Sequence, residues 1–269
     1  MFTQASIVKD SISPEGVRLT TMELVYPRFI HGEFMTHRVF SRNASSSRAI
    51  PVLRMLKNIL TKPAKPIYWG KNKAGMQAEN ELSFIPRQLA KFTWATACGF
   101  ACAFSGVLHM LGLHKQHANR LTEPFQYITV VVTATEWDNF FELRIDGDAQ
   151  PEIDNLANKM RAALEGSTPT LLNRGDWHLP YITEEELKSG LPMYVLCKAS
   201  SARCARTSYL THDNQHPIMD NDIGLFERLA GSRPLHASPL EHVATPSTKD
   251  NTNFVGWKQF RKVIELQMK

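Results

Sequence analysis

Residues 34–48 read FMTHRVFSRNASSSR and follow an alternating stretch, GVRLTTMELVYPRF, at residues 16–29. Apolar and polar residues alternate from Val17 to Tyr26, which predicts a buried strand that Pro27 ends. The segment from Phe29 to Phe40 is predicted to start a helix. The chain therefore places a dense run of hydrogen-bonding side chains directly after a strand of the core.

The chemistry of this polar run suits an oxyanion. Arg38, Arg42 and Arg48 offer fork-shaped donors that hold a phosphate at two points, and Asn43 and the serines add neutral donors. His37 is suited to orienting a cofactor or binding phosphate. The run has no Gly-rich phosphate loop. Taken alone, it also fits a capped helix with arginines on its surface, because Ser and Asn are ordinary caps.

The composition of the 269-residue chain is that of a globular protein, with 43% hydrophobic and 21% charged residues. A net charge of +5 suits an anionic partner but does not separate a nucleotide from nucleic acid. The four cysteines contain no Cys-x2-Cys pair, so we expect buried free thiols and no metal site. The N-terminus lacks an apolar signal-peptide region, which favours a cytoplasmic protein.

Spacing predicts most of the remaining elements. Residues 86–121 are expected to form one long helix, whose charge-free part from Phe92 to Leu113 is interpreted as buried in a globular core rather than as a membrane span. YITVVVTATEW, at residues 127–137, predicts a strand. The apolar residues from Ile153 to Leu164 recur at helical spacing and predict a helix that packs on the core. LPMYVLCKA, at residues 191–199, predicts a short strand.

Two further clusters carry chemistry. In ASPLEH, at residues 237–242, Ser238 precedes a proline and Glu241 follows three residues later, as in a capping box. In NFFELRIDGDAQPEI, at residues 139–153, Arg144 follows an apolar run and precedes acidic groups. Taken alone, the first cluster is a weak signal, and an arginine in the second setting is usually a member of an ion pair.

Together these elements resemble the flavin-dependent thymidylate synthases, the class that uses no catalytic cysteine. The family signature R-H-R-x2-S-x-N-E-x-S-x-R corresponds here to T-H-R-x2-S-x-N-A-x-S-x-R, from Thr36 to Arg48. Three more family elements have counterparts: L-R-x-D-x-x-A-Q-x-E-I in LRIDGDAQPEI, S/T-P-F-E-H in SPLEH, and A-R-x-S-Y in ARTSY at residues 205–209. The resemblance implies a ThyX-like α+β fold, with an antiparallel or mixed sheet flanked by long helices.

The order of these elements indicates a circular permutation. In the family, A-R-x-S-Y and S-P-F-E-H come first and lead directly into the strand before the signature, whereas here they lie near the C-terminus. New termini at surface turns are readily tolerated. The permutation predicts that the strand after His242 lies near Val17.

We expect the whole chain, residues 1–269, to form a single catalytic domain. Its parts are the signature and catalytic arginine (17–165), a linker that joins the family's old ends (166–190), the moved elements (191–246) and a basic amphipathic C-terminal helix (250–269).

The resemblance also implies an activity. Family members convert dUMP to dTMP, with 5,10-methylenetetrahydrofolate as one-carbon donor, reduced FAD as hydride source and NADPH as the usual reductant of the flavin. They are homotetramers with active sites between subunits. Carried over by position, Arg144 is the catalytic residue, and the nucleotide contacts are Glu33, Ser46, Arg48 and Arg144. The implied FAD contacts are His37, Arg38, Asn43, Asn139, Ser238 and Glu241, with Ser208 as a weaker candidate.

Four departures from the family pattern remove positive charge or donors from the site. Thr36 replaces the first signature Arg, Ala44 its Glu, Glu33 a Gln that often precedes the signature, and Asp148 a His that often follows the catalytic Arg. These changes leave open a hydroxymethylated product, formed if water rather than hydride completes the reaction. The remaining alternatives are another flavin enzyme acting on a pyrimidine nucleotide, or a non-catalytic basic protein that binds nucleic acid.

Overall fold

The computed structural model of the chain describes residues 2–75, 77–209, 218–248 and 252–268, without the side chains of Ser208 and Tyr209. Its strands are β1 (Gln4–Ile12), β2 (Arg18–Pro27), β3 (Ser41–Ala44), β4 (Tyr127–Ala134), β5 (Thr170–Leu171), β6 (Ala244–Pro246) and β7 (Trp257–Gln259). Its α-helices are α1 (His31–Phe34), α2 (Val52–Thr61), α3 (Phe84–Met110), α4 (Lys115–Ala118), α5 (Asp138–Arg144), α6 (Pro151–Glu165), α7 (Glu184–Leu187), α8 (Met193–Tyr209), α9 (Met219–Ala230) and α10 (Phe260–Gln267). Short 3-10 helices cover Arg28–Ile30, Asn119–Phe125 and Ser238–Glu241.

One mixed sheet organises the fold, with strand order β3-β4-β2-β1-β5 among the described residues. Neighbouring strands are antiparallel, except that β5 runs parallel to β1. The strand predicted from Val17 to Tyr26 is confirmed as β2, at the centre of the sheet. A tight turn joins it to β1, and Gly16 occupies the left-handed region there with φ of 81°. The α+β class predicted from sequence is therefore confirmed.

The first face of the sheet carries the main apolar core. Side chains that alternate along β2 and β4, such as Leu24 and Val132, are fully buried against the helices α5 and α6. On α6, Ile153, Leu156 and Met160 are also fully buried, which confirms the helix predicted from their spacing. This core fixes α5, whose last residue is Arg144.

The opposite face is polar at its centre and carries the C-terminal third of the chain. Residues that alternate with the apolar ones, including Thr21 on β2 and Thr133 on β4, point to this side and are fully buried. Helix α8 and the 3-10 helix Ser238–Glu241 pack here against β3. The elements from the two ends of the chain therefore meet on one sheet face.

The position of β6 agrees with the predicted permutation. β6 follows His242, and Ala244 of this strand packs with Leu19 of β2 in one buried cluster. Trp257 of the paired strand β7 donates a hydrogen bond from Nε1 to the carbonyl of Val17 at 3.2 Å. The strand after His242 therefore lies beside Val17, where the family chain would continue.

Several boundaries differ from the sequence predictions. LPMYVLCKA was predicted as a strand, but α8 begins at Met193, because Leu196, Cys197 and Ala199 pack at helical spacing into a buried cluster. The connection 166–190 is more than a linker, since it contributes β5, α7 and the buried residues His178 and Leu179. Helix α10 begins only at Phe260, after β7, whereas a helix from 250 was expected.

The helix predicted for Phe29–Phe40 is limited to the 3-10 turn Arg28–Ile30 and the four residues of α1, after which the chain turns into β3.

Helix α3 differs most from expectation. It ends at Met110 rather than 121, and only Cys98, Cys102 and Ser105 on it are buried. Most of its large apolar side chains face outward, with Phe92 70% and Phe100 59% exposed. The interpretation of a helix buried in the core of its own chain is therefore wrong. Across the described residues, none of the helices is long and apolar enough to cross a membrane.

Candidate active site

Arg144 and His37 meet directly. Arg144 closes α5, and its Nε donates a hydrogen bond to Nε2 of His37 at 3.1 Å. The imidazole of His37 packs edge-on against Phe140, with ring centroids 4.8 Å apart. Phe140 lies one turn before Arg144 on α5. Because Nε2 accepts this bond, the neutral ring carries its proton on Nδ1. Burial, together with the positive charges of Arg144 and Arg42, lowers the pKa of His37 and keeps the ring neutral.

Two further side chains surround the Arg144 guanidinium. Its Nη2 donates to Oγ1 of Thr36 at 3.2 Å, and its Nη1 lies 3.8 Å from Oε2 of Glu33. Thr36 and Glu33 are two of the positions that depart from the family pattern, so both departures concern this guanidinium. Burial raises the pKa of Glu33, Arg144 opposes the rise, and the negative charge of Glu152 adds to it.

Arg42 holds the segment that carries Thr36 and His37. The sequence suggested that this arginine binds phosphate. In the structure its Nη1 instead donates to the carbonyls of Met35 at 3.0 Å and His37 at 2.9 Å. Main-chain carbonyls at the end of a four-residue helix need such donors. Arg42 therefore positions the turn between α1 and β3.

Asn43 faces the second side of the sheet. It lies opposite Val131 of β4, is buried, and donates from Nδ2 to the carbonyl of Cys204 on α8 at 3.4 Å. Its Oδ1 is also buried and has no hydrogen-bond partner among the described residues. A buried acceptor without a donor is costly, so this oxygen is a natural contact for a bound molecule.

Glu241 is fixed beside the same strand. Its carboxylate accepts a hydrogen bond from Arg261 at 2.6 Å. Its main-chain carbonyl accepts from Nε2 of Gln259 at 3.1 Å, and the same Nε2 donates to Oγ of Ser41 at 3.1 Å. His37 and Glu241 are therefore both anchored on β3, the first through Arg42 and the second through Ser41.

The remaining predicted residues lie apart from this cluster. Ser46 is half-buried beyond the far end of β3, and its Oγ accepts from the main-chain nitrogen of Arg48 at 3.3 Å. The solvent-exposed members of the predicted set are Arg38, Arg48, Asn139 and Ser238. The side chain of Ser208 lies outside the described residues. The chain thus brings together Glu33, His37 and Arg144, while Ser46 and Arg48 sit at the opposite end of β3.

A buried histidine relay was not predicted from the sequence. Ser11, His178, Thr21, Thr133 and His242 are linked in that order by hydrogen bonds of 2.6–2.9 Å. Both histidines are fully buried, and burial lowers the pKa of each to about 3. The residues come from distant parts of the chain at no regular spacing, so only the fold reveals the relay. It joins the moved elements to the sheet.

One protein family matches more than half of this chain. A search of curated proteins gives no match. Among solved structures, the UMP/dUMP methylase PolB from Streptomyces cacaoi bound with 5-Br UMP is 17% identical, with a TM-score of 0.49 over 60% of this chain and 88% of that one. PolB bound with 5-Br dUMP is 18% identical, with a TM-score of 0.44 over 55% of this chain and 65% of that one. The model of the family described as thymidylate synthase complementing protein matches residues 15–170, which include the signature and Arg144. Since this match covers more than half of the chain, the protein belongs to the thymidylate synthase complementing protein family.

Proposed function

We propose that the protein is a flavin-dependent thymidylate synthase that converts dUMP to dTMP. 5,10-Methylenetetrahydrofolate supplies the one-carbon unit, and NADPH reduces the flavin. The observation that carries the proposal is the hydrogen bond between Arg144 and His37, because it joins two family elements within the matched region. Membership of a family named for thymidylate synthesis supports the same reaction.

Arg144 has the chemistry to activate the pyrimidine. C5 of uracil is a good nucleophile towards a one-carbon unit in the form of the ring that carries negative charge on its oxygens, and a fixed guanidinium stabilises such charge. The side chain of Arg144 is 21% exposed and contacts His37, Thr36 and Glu33. These three contacts fix its orientation and leave one side of the guanidinium open. Ser46 and Arg48 supply the donors suited to the nucleotide phosphate.

A thiolate nucleophile has no support in the structure. All four cysteines are buried and free, at positions 98, 102, 197 and 204. Burial raises the pKa of each thiol, to about 11 for Cys98, so none forms a thiolate readily. The buried free thiols expected from the sequence are confirmed, and they favour a mechanism without a cysteine adduct.

The residues at β3 fit a bound FAD. The buried Oδ1 of Asn43 lacks a donor among the described residues, and a ring N–H or ribose hydroxyl of the dinucleotide would supply one. We assign the cofactor to His37, Arg38, Asn43, Asn139, Ser238 and Glu241, with Ser208 as a further contact. When bound, reduced FAD supplies the hydride, and the protein contributes orientation and electrostatics.

The active form is proposed to be a homotetramer with active sites between subunits. Ser46 and Arg48 lie at one end of β3 and Arg144 lies near the other, so a second copy can complete each nucleotide site. Helix α3 offers a surface for the assembly. Exposed apolar surface of this kind often marks an interaction site, and large apolar side chains are exposed along α3 at Phe84, Ile85, Leu89, Phe92, Phe100, Phe104, Val107 and Met110.

Hydroxymethylation of dUMP is the second candidate. It is favoured by the polar surroundings of Arg144, where Thr36 and Glu33 stand in place of the family's Arg and Gln. A hydroxyl and a carboxylate at this position can hold a water molecule, and water rather than hydride would then complete the reaction.

The flavin spectrum of the purified protein tests the class of enzyme. We expect a yellow protein whose FAD is bleached by NADPH under anaerobic conditions and whose spectrum shifts when dUMP is added. A protein that neither carries nor binds FAD would contradict the proposal.

A further inference from the structure

Glu33 places a carboxylate at the point where the pyrimidine is proposed to bind. Its Oε2 lies 3.8 Å from Nη1 of Arg144, and its side chain is 36% exposed. The carboxylate is therefore close to the guanidinium but not enclosed by it. A ring that hydrogen-bonds to Arg144 from the open side comes within reach of Glu33.

The reaction needs a proton acceptor at this place. Attachment of a carbon to C5 of uracil, whether the product is methylated or hydroxymethylated, requires the hydrogen on C5 to leave as a proton. An effective general base has a free lone pair, lies near the ring and has a pKa not far below the working pH.

The other groups around Arg144 do not meet these conditions. The Nε2 lone pair of His37 already accepts a hydrogen bond from Arg144. The hydroxyl of Thr36 is too weakly basic. Glu152 is buried, and its two carboxylate oxygens accept from the main-chain nitrogen of Ile67 at 2.8 Å and from Gln150 at 2.9 Å.

We propose that Glu33 is the base that removes the proton from C5 of the bound pyrimidine nucleotide, an inference that rests on the proposed function. The C5–H bond breaks, its electron pair stays with the pyrimidine, and the proton passes to a carboxylate oxygen of Glu33. The new bond at C5 joins the one-carbon unit of methylenetetrahydrofolate; one of the two carbon–nitrogen bonds of that unit breaks, and its electron pair passes to the folate nitrogen, which takes up a proton. The exposed side of Glu33 then returns the proton to solvent.

The surroundings of Glu33 suit this role. The charged groups that face it are Arg144 on α5 and Glu152 on α6, with the neutral His37 beside Arg144. Burial and Glu152 raise the pKa of Glu33, although Arg144 opposes them. Proton removal requires the ionised carboxylate, so activity falls as the pH drops through this raised pKa.

Release of tritium from dUMP labelled at C5 tests the proposal in the FAD-loaded protein. The test variant is Glu33→Gln, which keeps the size of the side chain and carries the family's usual residue. We expect tritium release and kcat to fall about a hundredfold, within the usual range for loss of a general base. Binding of dUMP and FAD content should stay within about threefold of wild type, and the acid limb of the pH profile should disappear.

Thr36→Ala is the matched control, because Thr36 also contacts Arg144 but has no basic group. It should leave the acid limb of the pH profile in place. Wild-type tritium release by Glu33→Gln with an unchanged pH profile would overturn the role of Glu33 and leave the proposed function standing. Loss of dUMP binding in Glu33→Gln would also overturn it, since Glu33 would then act in binding. No tritium release by the wild-type protein, with FAD, NADPH and methylenetetrahydrofolate present, would overturn the proposed function as well.

Discussion

Arg144 donates a hydrogen bond from Nε to Nε2 of His37 at 3.1 Å, across 107 positions of sequence. The bond fixes the orientation of the guanidinium through Nε, so that Nη2 faces Thr36 and Nη1 faces Glu33. Because His37 also belongs to the proposed FAD contacts, it would couple the position of the proposed catalytic residue, Arg144, to the proposed cofactor site.

Removal of the guanidinium should abolish turnover. We expect Arg144→Ala to lower kcat/KM at least a thousandfold for dUMP, because the charge that develops on the ring loses its fixed partner. Circular dichroism and the melting temperature should change little, since Arg144 lies at the partly exposed end of α5. The control is Arg174→Ala, which removes an arginine that is 66% exposed and paired with Glu15. Near-normal turnover of Arg144→Ala would contradict its role.

Loss of the His37 imidazole should weaken the flavin site. His37→Ala removes both the acceptor for Arg144 and the ring that packs on Phe140. We expect FAD to dissociate at least tenfold more readily, as measured by fluorescence of the released flavin after gel filtration. His236→Ala, at an exposed histidine, is the control. Equal FAD content in wild type and His37→Ala would count against the assignment.

The buried histidine relay should make stability depend on pH. The folded-state pKa of His178 and His242 lies near 3, below the ordinary value of 6.5. The unfolded chain therefore binds more protons, and stability is lost as the pH falls below about 6.5. Between pH 7.5 and 5 we expect a loss of roughly 2 kcal/mol per histidine, measured by urea unfolding.

His242→Asn should reduce this pH dependence by about half, while exposed His236→Asn should leave it unchanged. A stability that stays constant from pH 7.5 to 5 would show that the relay histidines are not held neutral.

Helices α8 and α9 should depend on one buried ion-pair network. Asp222 is fully buried and accepts hydrogen bonds from Arg203, at 2.7 Å, and from Arg206. Because removal of one partner leaves buried charge uncompensated, we expect Asp222→Ala to lower the free energy of unfolding by about 3–5 kcal/mol. The exposed pair of Arg174 and Glu15 offers the comparison, and Glu15→Ala should lower the stability far less than Asp222→Ala. Similar effects of the two changes would contradict the network.

The outward face of α3 should hold the oligomer together. We expect the wild-type protein to have the mass of a tetramer by light scattering, and Phe100→Glu with Phe104→Glu to yield smaller species. The two rings are each 59% exposed in the isolated chain and stack at 6.3 Å between centroids. Leu266→Glu, at an exposed apolar residue on α10, is the control. A monomeric wild-type protein would contradict the assembly.

Local patterns in the sequence predicted the elements of the main core but not the long-range arrangement. Apolar and polar residues alternate along β2, and apolar residues recur at helical spacing along α6. Both patterns follow from which side chains are buried, so both elements were predicted. The β-branched and aromatic residues of MYVLC suggested a strand, yet α8 is helical because its buried face packs on its neighbours. The charge-free part of α3 was interpreted as a core helix because it is apolar, yet apolar composition alone does not show burial, and Phe92 and Phe100 are exposed in this chain.

The candidate site was predictable only in part. Family motifs identified His37 and Arg144, and the structure places them in contact. The role of Arg42 in holding main-chain carbonyls, and the relay from Ser11 to His242, depend on contacts between distant segments and leave no pattern in the sequence.

The mass of the product formed from dUMP tests the central claim most directly. The FAD-loaded protein is incubated with dUMP, NADPH and methylenetetrahydrofolate, and the nucleotides are analysed by mass spectrometry. We expect dTMP, heavier than dUMP by one methylene group, and no product when the folate is omitted. Recovery of unchanged dUMP from protein that carries reduced FAD would contradict the claim.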